Sequence, residues 1–320
     1  MRLRGIYVPT QTRNRVLIDL DAAFGTALRD AVHLVDALAR YLGENSEATV
    51  TGTQLVLLNR LLFEDNSTRL RDLAKSMHVS SHTMTQHIQR LELQGLIDRA
   101  ADDEDKRGVL VRISESGERV ARAAHAIRRA TLQTAFSDWA LDDTELVAGF
   151  LGLAPELPEY LPQLDLVEQI DRALIEMIRL HEIAEISWAE ETSLRSGIRV
   201  TRAEILLLER IGDAAMRLVD LSVAVGVSAQ TITRQIKELH NRGLVSSTPN
   251  PADGRVCLVQ LTKTGLRARK MAVAIRSTHL GRNLEDWDLE NLERLPTLLF
   301  SLGRALRKDV SAPNPFISKT

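Results

Sequence analysis

Residues 79–97 read VSSHTMTQHIQRLELQGLI, and residues 227–245 read VSAQTITRQIKELHNRGLV. Each stretch opens on a serine suited to cap a helix, Ser80 or Ser228, and closes on a glycine, Gly95 or Gly243, suited to the left-handed conformation that ends one. Between them apolar residues recur at i, i+4 and i+7: Met84, Ile88 and Leu91 in the first stretch, Ile232, Ile236 and Leu239 in the second. That spacing puts one apolar stripe against a core and turns the opposite face to solvent. The outward face of the first helix holds Ser81, His82, Thr85, Gln86, Gln89 and Arg90, and that of the second Ala229, Gln230, Thr233, Arg234 and Lys237.

The likeness spreads outward from these stretches. A shift of 148 residues lays Leu70, Asp72 and Leu73 on Leu218, Asp220 and Leu221, then Asp105 and Arg107 on Asp253 and Arg255, Gly117 on Gly265 and Trp139 on Trp287. Upstream the shift becomes 150, with Thr51, Leu57, Leu58 and Arg60 on Thr201, Leu207, Leu208 and Arg210. The chain is a tandem duplication. Pro155, Pro158 and Pro162 break helix near the junction. The expected organisation is a flexible basic tail over 1–14, one domain over 15–158, a second over 159–310 and a flexible tail over 311–320.

Within each repeat the order reads helix, helix, helix, helix, β-hairpin, helix, helix. Arg15 to Leu42 and Leu164 to Ser193 form the long opening helices, and Thr53–Leu62 and Thr201–Ile211 are apolar-rich helices opened by a threonine. Leu70–Met77 is a short helix before the capped one; Leu96–Arg99 and Val109–Ile113 are strand-like runs around a polar tip. The last two helices start near Ser116 and Asp142, and near Thr264 and Asp288. The fold class expected is mainly α with two small β-hairpin wings. A short helix, a tight turn, a capped second helix and a hairpin make a winged helix-turn-helix, a module that reads duplex DNA. Gln on the outward face can pair with adenine and Arg with guanine, while Ser and Thr suit bases or phosphates. At the hairpin tips Asp105, Lys106 and Arg107, and Asp253 and Arg255, offer a guanidinium held by a nearby carboxylate for a minor groove.

Composition sets bounds. The 320 residues carry 41 Lys and Arg against 43 Asp and Glu, a net charge of −2, with 44% hydrophobic residues, so any nucleic-acid argument rests on local charge. A single cysteine, Cys257, excludes an internal disulfide framework and a Cys-built zinc site. No apolar run approaches the ~20 residues of a bilayer span, and no signal-peptide core follows Met1-Arg2-Leu3-Arg4, so a cytoplasmic protein without a membrane partner is expected. No glycine-rich phosphate loop, nucleophile elbow or metal-ligand spacing is present; no enzyme activity, metal or cofactor is expected. His78, His82 and His87 sit close in sequence, but His82 and His87 differ by five and fall on different helix faces. Cys257 reads as a small hydrophobe on a hairpin, and Trp139 and Trp287 as packing anchors.

Each half resembles the MarR family of regulators. The residues that carry the resemblance are Val79-Ser80-x-x-Thr83, Leu91-x-x-x-Gly95-Leu96-Ile97, Asp105-Lys106-Arg107 and Ser114-x-x-Gly117. In the second copy they are Val227-Ser228-x-x-Thr231, Leu239-x-x-x-Gly243-Leu244-Val245, Asp253-Gly254-Arg255 and Thr262-x-x-Gly265. The resemblance implies a double-stranded operator as partner, read by recognition helices in successive major grooves and by wing arginines in minor grooves. It also implies dimerisation through first and last helices and a small anionic or aromatic effector in a cleft. Candidates for the cleft are Arg29, His33 and Tyr41 on the first long helix and Arg179, His181 and Trp188 on the second. Two copies in one chain imply a monomeric pseudo-dimer whose half-sites differ, with repression by promoter occupancy. The alternative is a DNA-silent pseudo-dimer that binds a partner protein or a small molecule. The acidic tip Asp102-Asp103-Glu104-Asp105 makes the first copy the weaker expected reader, and Arg2, Arg4, Arg13 and Arg15 read as part of a solvated tail.

Overall fold

The computed structural model describes residues 10–45, 49–63, 68–102, 108–153, 163–225, 227–250 and 253–307. The first repeat runs α1 (Gln11–Asn45), α2 (Gly52–Phe63), β1 (Thr68–Arg69), α3 (Leu70–Ser76), α4 (Ser81–Leu93), β2 (Ile97–Ala101), β3 (Val109–Ile113), α5 (Glu115–Phe136) and α6 (Leu141–Leu151). The second repeats that order: α7 (Leu166–Ser196), α8 (Arg202–Ile211), β4 (Met216–Arg217), α9 (Leu218–Val225), α10 (Ala229–Asn241), β5 (Val245–Asn250), β6 (Asp253–Leu261), α11 (Lys263–Asn283) and α12 (Leu289–Leu306). Each hairpin gains a third strand that its sequence does not announce, giving sheets ordered β1-β3-β2 and β4-β6-β5. Thr68 pairs with Val111 and Met216 with Val259. Two residues are too few to display a period-2 pattern, so only the partner strand reveals them.

The local reasons are those of capped helices. Ser80 accepts from the Thr83 amide at 3.0 Å and Ser228 from the Thr231 amide at 3.2 Å. Gly95 and Gly243 leave their helices at φ 66° and 68°. Helix α8 starts with a capping box between Thr201 and Glu204. In the first copy the matching cap is Thr51, not Thr53: its hydroxyl accepts from the Gln54 amide at 3.3 Å while the Gln54 side chain accepts from the Thr51 amide at 2.9 Å. The motif Ser114-x-x-Gly117 acquires a mechanism. Ser114 Oγ caps α5 by accepting from the Gly117 amide and donates to the Gly95 carbonyl at 2.6 Å, fastening α5 to the end of the recognition helix. Gly117 is required by that closeness, since a Cβ there would stand 2.0 Å from the Leu96 carbonyl oxygen. Thr262 and Gly265 repeat both features, with Leu244 in place of Leu96.

The chain forms two compact units, each assembled from both halves of the sequence. Residues through Asp21 join His181–Leu289 in one, and Ala22–Leu180 join the chain from Glu290 in the other. In the second-copy unit, Ile205, Leu208, Leu221, Ile232, Leu239, Leu244 and Val259 build one buried core. Their register mates Leu55, Leu58, Leu73, Met84, Leu91, Leu96 and Val111 are buried in the first-copy unit. Within each unit an arginine from one repeat binds an aspartate from the other. In the first-copy unit Arg128 of α5 makes a bidentate pair with Asp171 of α7, at 2.8 and 3.0 Å, and reaches Asn59 at 2.7 Å. In the second-copy unit Arg276 of α11 pairs with Asp21 of α1, at 3.0 and 2.9 Å, and with Glu209 at 2.6 Å. Helix α12 joins the first-copy unit the same way: Arg307 donates to Asp30, and a Cβ on Gly303 would stand 3.4 Å from Ala27 Cα.

Helix α1 begins at Gln11, so Gln11–Asn14, assigned above to a flexible tail, are helical. Arg13 is held there by the carbonyls of Leu284 and Trp287 rather than solvated. The junction prolines Pro155, Pro158 and Pro162 and the tail over 311–320 lie outside the described residues.

Candidate nucleic-acid interface

Helix α4 buries Met84, Ile88 and Leu91, and α10 buries Ile232, Ile236 and Leu239, as the spacing predicts. The opposite faces are open. Ser81, His82, Gln86, Gln89 and Arg90 are exposed on α4, as are Ala229, Gln230, Thr233, Arg234 and Lys237 on α10; Thr85 is half-buried. Two hydroxyls are already committed: Thr85 donates to the Ser81 carbonyl at 2.7 Å and Thr233 to the Ala229 carbonyl at 2.8 Å. Each threonine therefore offers a lone pair and a methyl outward, not a proton. The Gln86 amide bonds the His82 ring at 3.1 Å, which orders two adjacent side chains of the face. His87 sits between the two faces, half-buried, and burial followed by the Arg90 charge pushes its imidazole below the ordinary value.

Behind these faces sit contacts that fix the helix ends. Arg242, the C-cap residue of α10, donates to Glu204 of the capping box and to the Arg199 carbonyl. At the corresponding end of α4 stands Gln94. Arg179 of α7 is buried and donates to the Ser76 carbonyl at the end of α3 and to Glu176.

Asp105, Lys106 and Arg107 lie outside the described residues. Asp253 and Arg255 belong to β6, and their side chains lie outside the described set. The acidic wing of the first copy is nevertheless milder than its sequence suggests. Asp102 is buried and paired with Arg69 of β1, so its charge is neutralised inside the fold rather than presented to phosphates. In the second copy Asn250 replaces Asp102, and Arg217, the mate of Arg69, turns to Asp220 at 2.6 and 2.8 Å. Cys257 is exposed, not a packed hydrophobe. Its pairing partner is Pro249, outward along the hairpin from the buried Val245 and Val259, so the strand has run past the core by that point.

The cleft candidates divide between the units. Arg29, His33, Tyr41 and Arg179 fall in the first-copy unit, His181 and Trp188 in the second. His33 is exposed, Arg29 bonds Thr26 at 2.9 Å, and Arg179 is engaged as above. His181 faces Glu185 at 3.2 Å and meets the Trp188 ring edge-on at 5.9 Å. A small pocket in the first-copy unit, with room for about one water molecule, is lined by Ala31, Leu34, Val35, Leu174, Ile175 and the Arg128–Asp171 pair, and by none of the six. Trp139 packs against Phe136 at 4.9 Å between ring centroids, as an anchor should. Among the described residues no group of three or more His, Cys, Asp or Glu could hold a metal ion, and no helix is long and apolar enough to cross a membrane.

Helix α3 carries two exposed cations, Arg71 and Lys75, that belong neither to the recognition helices nor to the wings. Their i, i+4 spacing on a short amphipathic helix is the sequence signal that points to them.

Comparison with known proteins places this arrangement. YxaD of Bacillus subtilis, named an uncharacterized HTH-type transcriptional regulator, is 26% identical over 140 residues, covering 43% of this chain and 94% of that protein. The organic hydroperoxide resistance transcriptional regulator of the same organism is 35% identical over 57 residues, 18% of this chain and 39% of that protein. Among solved structures, the apo form of wild-type MarR from E. coli is 24% identical with a TM-score of 0.31, covering 38% of this chain and 90% of that one. Two MarR family models match in succession, one over residues 50–109 and one over residues 200–256. Each matched stretch spans the recognition helix and the helix before it, so what the chain repeats in tandem is a winged helix-turn-helix similar to that of the MarR family.

Proposed function

We propose that this protein is a sequence-specific, double-stranded DNA-binding transcriptional regulator that works as a single-chain pseudo-dimer. The observation that carries the reading is the pair of capped helices, α4 and α10, each with an exposed polar face opposite a buried apolar stripe. The names of the relatives as transcriptional regulators support it. The pseudo-dimer reading is supported by the exchanged pairs Arg128–Asp171 and Arg276–Asp21, which make each unit depend on both repeats. Because the faces differ, His82 against Gln230, Gln86 against Arg234 and Gln89 against Lys237, the operator consists of two unlike half-sites about one helical turn, ~10 base pairs, apart. Repression follows from occupancy of a promoter, and a small anionic or aromatic effector relieves it. Wing residues Asp105, Lys106, Arg107, Asp253 and Arg255 contribute minor-groove contacts.

Selection of bound sequences from a random duplex pool, with purified full chain at one stated salt concentration, tests the reading. Two unlike enriched half-sites a helical turn apart support it. A strictly symmetric enriched site contradicts the unequal faces. No enrichment, with or without candidate effectors, transfers the case to a DNA-silent scaffold for a protein partner.

A further inference from the structure

The two copies place their paired exposed cations on different helices of the motif, Arg90 alone standing exposed on the second helix of the first copy. In the first, α3 buries Leu73 and Ala74 and leaves Arg71 and Lys75 exposed one turn apart, the Arg71 side chain 59% accessible beside Asp72 at 3.8 Å. The same register positions on α9 hold Val219 and Val223, which are 56% and 79% exposed. On the recognition helices the distribution reverses. Gln86 and Gln89 of α4 correspond to Arg234 and Lys237 of α10, all four exposed. Copy one thus carries a pair of cations on the first helix of its motif and the single exposed cation Arg90 on the second, whereas copy two carries its pair on the second helix.

Position within a helix-turn-helix decides what such a pair touches. The second helix enters the major groove and meets base edges, whereas the first crosses the sugar–phosphate backbone. Cations on the first helix therefore neutralise phosphates and carry no sequence information, while those on the second also select bases. Resting on the DNA-binding reading above, we propose that Arg71 and Lys75 form a phosphate clamp peculiar to the first copy, and that the second copy holds DNA through Arg234 and Lys237 instead. The first half-site then supplies sequence-independent affinity and the second supplies most of the discrimination. Exposed valines at 219 and 223 follow from this division, since a copy anchored by its groove-inserted cations has no need of a backbone clamp.

The test measures affinity of the full chain for a selected operator and for an unrelated duplex across a series of KCl concentrations. Arg71→Ala with Lys75→Ala is expected to lower the slope of log affinity against log salt by about 1.8, two phosphate contacts at ~0.9 each. It is expected to weaken both duplexes by the same factor and to leave the selected sequence unchanged. Val219→Arg with Val223→Lys is expected to steepen the slope. All four positions are exposed, and matching thermal melts establish that each variant folds. An unchanged slope, or a loss confined to the selected operator, overturns the clamp while leaving DNA binding intact. A wild-type chain that binds neither duplex overturns both readings together.

Discussion

Asp21 and Arg276 stand 255 residues apart in the chain and share a bidentate ion pair, Nε to Oδ1 at 3.0 Å and Nη2 to Oδ2 at 2.9 Å. The carboxylate belongs to the first repeat and the guanidinium to the second, yet both lie in one compact unit. The other unit reverses the donation, with Arg128 from the first repeat and Asp171 from the second. The duplication register relates all four residues: Arg128 maps to Arg276 at 148, and Asp21 to Asp171 at 150. Third partners differ. Arg128 meets neutral Asn59, whereas Arg276 meets Glu209 and is flanked by two carboxylates. Burial would lower the Arg276 pKa, but the charges of Asp21 and Glu209 raise it.

Removing one member of a buried pair leaves the other uncompensated, which costs far more than the pair contributes. Asp171 is 2% exposed and the Arg128 side chain 4%. Asp171→Ala is therefore expected to destabilise the first-copy unit by about 3–5 kcal/mol, read as a lower urea midpoint. Asp171→Ala combined with Arg128→Met removes both charges and is expected to recover most of that loss. A double variant as unstable as the single one would show that the pair matters through its shape, not through its charge.

Two glycines, one ending the recognition helix and one on the helix fastened to it, separate two physical causes. At Gly95, φ is 66° and nothing lies within 4 Å of an added methyl, so Gly95→Ala meets only the left-handed penalty, about 1–2 kcal/mol. Gly117 lies where a Cβ would fall 2.0 Å from the Leu96 carbonyl oxygen, and backbone cannot swing aside as a side chain can. Gly117→Ala is expected to cost more, at the upper end of the ~1–3 kcal/mol of an overpacked core or beyond it. It also pushes α5 off the end of α4, so DNA affinity should fall with it. Equal thermal shifts for the two variants would refute the distinction.

The recognition segment is legible in the sequence because its causes are local. Caps, the apolar stripe and the chain-reversing glycine all act within one or two turns, and duplication displays each of them twice. Exchange of partners between repeats is hidden. Periodicity puts Asp21 and Asp171 on helices but cannot say which arginine reaches them. For Asp21 that arginine lies 255 positions away. Asp102 looks like an exposed anion for the same reason, its neutralising Arg69 lying 33 residues upstream on a two-residue strand. Cys257 departs from expectation differently: the alternation along β6 is real, but the core ends before the hairpin does.

Acid should destabilise both units over one window. Burial would raise the pKa of Glu168, yet hydrogen bonds from His125 and Arg172 and their charges outweigh it and hold the carboxyl at about 2. Glu185 is likewise opposed by burial and held at about 2 by His181 and Arg202. A carboxylate depressed in the folded state binds protons more weakly there than in the unfolded chain. Its contribution is fully present above the unfolded value near 4.5 and is lost as pH falls through the folded value. Stability is therefore expected to decline between about pH 4.5 and 2, and the decline should be shallower in Glu168→Gln and Glu185→Gln. A wild-type profile that rises or stays level across that interval would contradict the assignment.

The recognition helices predict a transferable preference. Gln86 and Arg234 occupy the same register position, both exposed, and glutamine suits adenine N6 and N7 where arginine suits guanine O6 and N7. Arg234→Ala is expected to cost about 1–3 kcal/mol on the selected operator and to relax one base position of the second half-site. Gln86→Arg is expected to move the matching position of the first half-site from adenine towards guanine. His82 supplies a control, because its ring bonds the Gln86 amide at 3.1 Å and should steady that side chain over the base. His82→Ala should then blur the adenine preference without replacing it. Repeating the pool selection with the three variants at fixed salt reads all of this at once. If Gln86→Arg changes affinity on every duplex equally and shifts no base, the residue faces phosphate, and the reading face of α4 is rotated away from Gln86.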